Sequence, residues 1–226
     1  MALFAIGDLH LSLGCNKPMD VFEGWEDYVP RLEKNWRDTI TEQDTIVLMG
    51  DNSWAMNFEE ALADFAFLHS LPGQKIVLKG NHDYWWTTMA KMTAWIEQNQ
   101  LDSIRFLHNN SYEVEGVSVC GTRSWLFEAD KPQDEKVMAR EVGRLRASLQ
   151  AATLPKKLVF LHYPPVYVGA TSAAVIETMQ EFGVNQCYYG HLHGGSIRWA
   201  VQGQVNGIQY KLLSADSLGF KPYKIN

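Results

Sequence analysis

Three apolar runs, LFAI at residues 3–6, TIVLM at 45–49 and KIVLK at 75–79, each stop abruptly on a polar cluster, and helical patterns separate them. This alternation constrains the fold more than any other feature. Short β-type runs joined by amphipathic helices need right-handed crossovers, which make neighbouring strands parallel and bring their carboxyl ends to one edge. Residues 26–41 around Trp25, Leu32 and Trp36, then FEEALADFAFLHSL, then YWWTTMAKMTAWIEQN, supply the helices.

From residue 103 the pattern changes. SIRFLH, SYEVEG and GVSVCGT are separated only by turns, so antiparallel pairing is expected among them. A helix is expected over 133–151, entered through Pro132, followed by the strand KLVFLHY, a helix over 172–182, the strand NQCYYG, and hairpin-like pieces SIRWAVQG and VNGIQYKLLSAD. This order suits two mixed sheets flanked by helices, a four-layer α/β/β/α sandwich, better than one sheet. A length of 226 residues without a Ser/Gly or Pro-rich tract suits a single domain over 1–226.

The strand exits carry the chemistry. They read Asp8-Leu9-His10, Gly50-Asp51-Asn52, Gly80-Asn81-His82-Asp83, His162, and Gly190-His191-Leu192-His193. Five of the seven histidines belong to this set, which leaves His69 and His108 to structural roles. In α/β sheets the crevice beyond the strand carboxyl ends is where ligands bind. Where backbone stays extended, residues two apart project to one side, so Asp8 with His10, and His191 with His193, can each aim two donors at one point. Asp8, His10, Asp51, Asn81, His162, His191 and His193 are too many for one tetrahedral zinc, but suit two ions if a carboxylate bridges them. Imidazole, carboxylate and amide donors without thiolate favour Mn, Fe, Zn or Co over Ca or Cu(I).

In that order and at those separations, DxH, GDN, GNHD, an isolated His and GHxH resemble the calcineurin-like metallophosphoesterase superfamily, over residues 3–193. The resemblance implies a dinuclear site with Asp8, His10 and His193 on one divalent ion, Asn81, His162 and His191 on the other, and Asp51 between. It further implies that His82 contacts the substrate phosphate or protonates the leaving group, and that Asp83 orients His82. A hydroxide shared by the ions would attack a phosphomonoester or phosphodiester. Asp51 is followed by Asn52-Ser53-Trp54, so the protein Ser/Thr phosphatase signature is missing; His193-Gly194-Gly195 lacks the proline of many cyclic-nucleotide phosphodiesterases. Rival readings are a catalytically silent binding scaffold of the same fold, and a nuclease for short nucleic acid.

Other residues have weaker claims. Arg123, in the turn CGTRSW, is expected as a phosphate clamp or a surface Arg. The aromatics Trp54, Tyr84, Trp85, Trp86, Trp125, Tyr163 and Tyr167 lie near motif loops and are expected mainly in packing. Residues 14–25 form a long loop that can cover the site, with Lys17 near phosphate. A net charge of −6 argues against a nucleic-acid partner and favours a small phosphate ester, because two dications leave the site cationic. Cys15, Cys120 and Cys187 show no CxxC spacing and fit free thiols, and no apolar run is long enough to span a bilayer. A cytoplasmic, membrane-free protein is the expectation.

Overall fold

A computed structural model describes residues 1–125 and 132–225. The first sheet contains β1 (Leu3–Ile6), β2 (Thr45–Met49), β3 (Gln74–Leu78) and β4 (Ile104–Phe106). Helices α1 (Tyr28–Arg37), α2 (Phe58–Ser70) and α3 (Met89–Gln98) connect them in turn. Caps define two of these helix starts: the Asn57 side chain accepts from Glu60 N–H, and Thr88 from Lys91 N–H. All four strands pair in parallel in chain order. The expected antiparallel partnering of SIRFLH is therefore overturned. Helix α3 is itself a crossover, so β4 emerges parallel to β3 and stays in the first sheet.

The second sheet comprises β5 (Tyr112–Val114) and β6 (Val117–Thr122), an antiparallel hairpin as expected, then α4 (Pro132–Gln150) and β7 (Lys157–Leu161). The small hairpin of β8 (Val166–Tyr167) and β9 (Ala170–Thr171) leads to α5 (Ala173–Glu181) and β10 (Gln186–Tyr189). The start of the expected hairpin-like piece SIRWAVQG, residues 196–199, lies instead in a 3-10 helix, Gly194–Trp199. Then β11 (Gly203–Val205) and β12 (Ile208–Leu212) form the antiparallel edge hairpin, and β13 (Tyr223–Lys224) returns to flank β1. The sheet orders are β13-β1-β2-β3-β4 and β11-β12-β10-β7-β6-β5.

Two-residue periodicity explains the layers. On the first sheet Phe4, Ile6, Ile46, Leu48 and Val77 face a core that includes Leu32 and Trp36 of α1, Phe65 of α2 and Met92 of α3. Their neighbours Leu3, Ala5, Val47, Met49 and Ile76 turn the other way and meet Val119, Leu158, Phe160 and Tyr188 of the second sheet. Val159, Leu161, Cys187 and Tyr189 then face Leu145 of α4 and Met179 of α5. Three apolar layers thus separate four structural ones, and the expected α/β/β/α order holds. Backbone bonds join the sheets at one rim: Gly7 N–H donates to Leu213 O at 2.8 Å and Ala215 N–H to Gly7 O at 2.9 Å. That rim holds the polar motifs.

Candidate metal centre

At the rim the chain leaves extended geometry. Asp8, His10, Asp51 and His191 all have positive φ, of 57°, 46°, 50° and 70°. The expectation that Asp8 and His10 share a side because the backbone stays extended is therefore wrong at those two residues. Each is turned inward by a left-handed kink, a conformation that costs a non-glycine residue about 1 kcal/mol or more and persists only where surroundings impose it. Neighbouring backbones supply the constraint. Asp8 N–H donates to Gly50 O and His10 N–H to Asp51 O, both at 2.9 Å, while His191 N–H donates to the Asp8 carboxylate at 2.9 and 3.0 Å. The motif glycines allow this approach. A Cβ on Gly80 would lie 2.1 Å from Asp51 Oδ1, and one on Gly190 would lie 2.5 Å from Asp8 Oδ2.

Two overlapping clusters of donor atoms result. Asp8, His10 and Asp51 form one, and Asp51, His162 and His191 the other, with all ligand atoms of each within 4.8 Å of one another. Asp51 belongs to both. Asn81 Oδ1 lies 2.7 Å from His162 Nε2, joining the second cluster, and the His193 ring sits 5.3 Å from the His10 ring beside the first. The His10 Nε2–Asp51 Oδ2 distance is 3.9 Å and the His162 Nε2–Asp51 Oδ2 distance 3.5 Å.

Whether these residues suit cations is tested by their own electrostatics. Both ring nitrogens of His10 are buried without a hydrogen-bond partner among the described residues. Burial, and then the neighbouring Asp51 carboxylate, raises Asp8 well above the carboxylate range. Burial lifts Asp51 to about 6 against the N–H of His82, and pushes His162 down to about 3. Buried carboxylates driven toward the acid form, and buried imidazoles driven toward the neutral form, suit divalent cations, which would reverse the first tendency and use the second. The residues fit.

His82 stands over the first cluster. Its backbone N–H donates to Asp51 Oδ1 at 2.7 Å, and its ring lies 5.8 Å from the His10 ring. The expected orienting role of Asp83 is overturned. The Asp83 carboxylate is buried and accepts from Gly80 N–H at 2.7 Å, Asp51 and Asn52 N–H at 2.9 Å, Ser53 N–H at 3.3 Å, Asn52 Nδ2 at 3.2 Å and Trp85 Nε1 at 3.0 Å. It locks the second and third strand exits together. The partner of His82 is the Tyr84 hydroxyl, 3.2 Å from Nδ1. An aromatic two residues on was its only sequence signal.

Arg123 also differs from the phosphate-clamp expectation. Its guanidinium points to Glu141 at 3.4 Å and lies over the Trp125 ring, 5.0 Å away. Glu141 is fully buried on α4 and holds Arg144 at 2.6 Å and the Thr122 hydroxyl at 2.6 Å. Lys17 rests over the Trp54 and Tyr84 rings at 5.3 and 5.9 Å, beside His82. Trp85 and Trp86 are core residues, and His69 bonds Ser103 Oγ at 2.8 Å, as expected of structural groups. A cavity of about 710 Å³ opens beside His10, His82 and His193; Met19, Phe22 and Trp25 from the 14–25 loop wall it, with Ile197 and Asp216 from beyond the last motif. Those five residues carry no motif and were not singled out by sequence as site residues.

Two donor clusters sharing a carboxylate, at the joined rims of two stacked sheets, define a candidate dinuclear metal centre in an α/β/β/α sandwich. The chain belongs to the calcineurin-like phosphoesterase family, whose model matches residues 1–195. That membership supports metal-dependent phosphoester hydrolysis, and the family generally uses divalent ions. No curated protein matches the chain by sequence. Among solved structures, the protein of unknown function AQ665 from Aquifex aeolicus is similar with 17% identity, a TM-score of 0.52, and coverage of 99% of this chain and 95% of that one. TT1561 of Thermus thermophilus is similar with 12% identity, a TM-score of 0.56, and coverage of 99% and 97%. At such identities the likeness is one of fold. No helix among the described residues is long and apolar enough to cross a membrane.

Proposed function

We propose that the chain hydrolyses small phosphate mono- or diesters with two divalent ions, Mn, Fe or Zn. Asp8, His10 and His193 would hold one ion, Asn81, His162 and His191 the other, and Asp51 would bridge. The observation that carries this reading is the presence of Asp51 in both donor clusters. When bound, such a pair supplies Lewis acidity toward phosphoryl oxygens and lowers the pKa of coordinated water toward neutrality.

The chain's own contribution is positioning and proton delivery. Water attacks phosphorus in line, the bond to the leaving oxygen breaks, and that oxygen needs a proton. His82 lines the cavity with its Nδ1 3.2 Å from the Tyr84 hydroxyl, a contact that fixes the ring, and as an imidazolium it would give that oxygen its proton. The Asp51 carboxylate accepts the His82 N–H, so backbone placement of the proton donor and of the bridging ligand is coupled. Asp83 holds this assembly from below through its six donors. The test is elemental analysis with a panel of aryl phosphate mono- and diesters assayed with Mn, Mg, Zn, Ni and Fe. Two ions per chain and turnover on at least one ester class are expected; two ions bound without turnover on any ester would replace this reading with the binding scaffold.

A further inference from the structure

We propose that the cavity walled by Met19, Phe22, Trp25 and Ile197 is the subsite for the leaving alcohol of the ester, and that it selects an uncharged or cationic ring-bearing alcohol over one carrying a second phosphate or carboxylate. This rests on the hydrolase reading above. Its position carries the first part of the argument. The cavity is continuous with His10, His82 and His193, so a group attached to phosphorus at the metal centre and leaving toward His82 enters it. Its volume, about 710 Å³, falls in the range of pockets that enclose organic ligands and far exceeds what a phosphate alone fills.

The wall chemistry carries the second part. Apolar carbon dominates, and Phe22 is 56% exposed on a loop that otherwise has no reason to present an aromatic ring to water. Trp54 is not a free platform, because His10 stacks on it at 4.8 Å and Lys17 also lies over its ring. Phe22 is the ring left for a ligand. Charge then narrows the class. Among the described residues the lining holds no Lys or Arg, but it holds the carboxylates of Glu23 and Asp216. Asp216 is fixed by Gly194 N–H at 2.7 Å and Ser217 N–H at 2.8 Å, so its charge cannot swing away. Arg123 and Arg144 are taken up by Glu141, and Lys17 lies over the Trp54 ring at the edge of the cavity, beside His82 and not against Phe22 or Glu23. An alcohol bearing another anion at its far end would meet two carboxylates and no Lys or Arg in the lining there, whereas hydroxyl or amino groups on a ring would find acceptors.

Product-like phosphonates test this without turnover. Calorimetric titration of the Mn-loaded protein is expected to show 1-naphthylphosphonate binding on the order of 10- to 100-fold more tightly than methylphosphonate, from the added apolar burial. Phenylphosphonate should bind about tenfold more tightly than 4-carboxyphenylphosphonate. Phe22→Ala should shrink the naphthyl-to-methyl ratio, and Glu23→Gln should shrink the carboxylate penalty; both positions are exposed, so folding is not at stake. Equal affinity for naphthyl and methyl compounds, or ratios unmoved in both variants, would overturn the subsite while leaving hydrolysis intact. Failure of every phosphonate to bind with two ions loaded would overturn the hydrolase reading and this inference with it.

Discussion

The two sides of the metal centre share Asp51 but are backed by opposite chemistry. Behind His10 and His193 stand rings: Trp25 lies 5.8 Å from His10 and 6.2 Å from His193, and Trp54 stacks on His10, and this side opens to the large cavity. On the side of His162 and Asn81 the Tyr163 ring lies 5.2 Å from His162, and Lys79, Arg123 and Arg144 gather round the buried Glu141 with only about 10 Å³ of space among them. The difference teaches that one donor set can serve two ends with separate tasks. The aromatic side leaves room for carbon, while the charged side is a closed structural lock in which Glu141 engages Arg123 and Arg144. Arg123 contributes its guanidinium to that lock, 3.4 Å from Glu141.

The largest effect should come from the residue the sides share. Asp51→Ala is expected to drop metal content from two ions toward none and turnover by on the order of 10⁴-fold, whereas His10→Ala should empty chiefly the aromatic side; inductively coupled plasma analysis of each variant decides. Retention of two ions by Asp51→Ala would end the idea of a shared carboxylate. Next, if His82 delivers the leaving-group proton from the cavity side as proposed, His82→Ala should cost on the order of 10²- to 10⁴-fold in kcat with metal content still near two. If that variant lost an ion, His82 would have to be counted among the ligands.

Asp83→Asn probes the lock beneath both sides. Replacing a carboxylate that accepts six hydrogen bonds puts an NH2 against N–H donors, and a loss of about 2–4 kcal/mol is expected in urea denaturation of the protein. An unchanged midpoint would return Asp83 to a purely catalytic role. Lys75 gives the comparison a baseline, a buried charge remote from any donor cluster, with Nζ on Leu71 O. Burial lowers it from 10.5 to about 8, so the folded state sheds its proton first. Stability should therefore rise with pH across that window, by at most about 1.4 kcal/mol per pH unit, and Lys75→Met should flatten the rise in denaturation at pH 8 and pH 10. The smallest effect is expected for Arg123→Lys. With its fork on Glu141, turnover on aryl mono- and diesters should fall by the same small factor, under about threefold. A loss confined to monoesters would restore the phosphate clamp.

Much of this molecule is legible in its residues. Period-2 apolar runs specify which face of β1, β2, β3, β7 and β10 is buried, because alternation along a strand is a local property of the backbone. The seven donor positions are likewise local: they lie within the first few residues past five strands that must stop, so their convergence follows from the strands' carboxyl ends sharing one rim. What stands around them is not local. Whether Asp83 meets His82 or six donors on neighbouring loops depends on how tightly the second and third strand exits approach, a distance set by the close packing of Gly50 on Gly80. The left-handed turns at Asp8, His10 and Asp51 use residue types that tolerate that region better than most, but which Asp or His adopts it is set by the tertiary contacts around it. Phe22, Trp25, Ile197 and Asp216 reach the cavity from segments about 170 residues apart. Sequence determined the strands, the layers and the donor set, because those follow from neighbours along the chain; the partner of each side chain and the wall of the cavity were decided by tertiary packing, which alone brings distant loops to one rim.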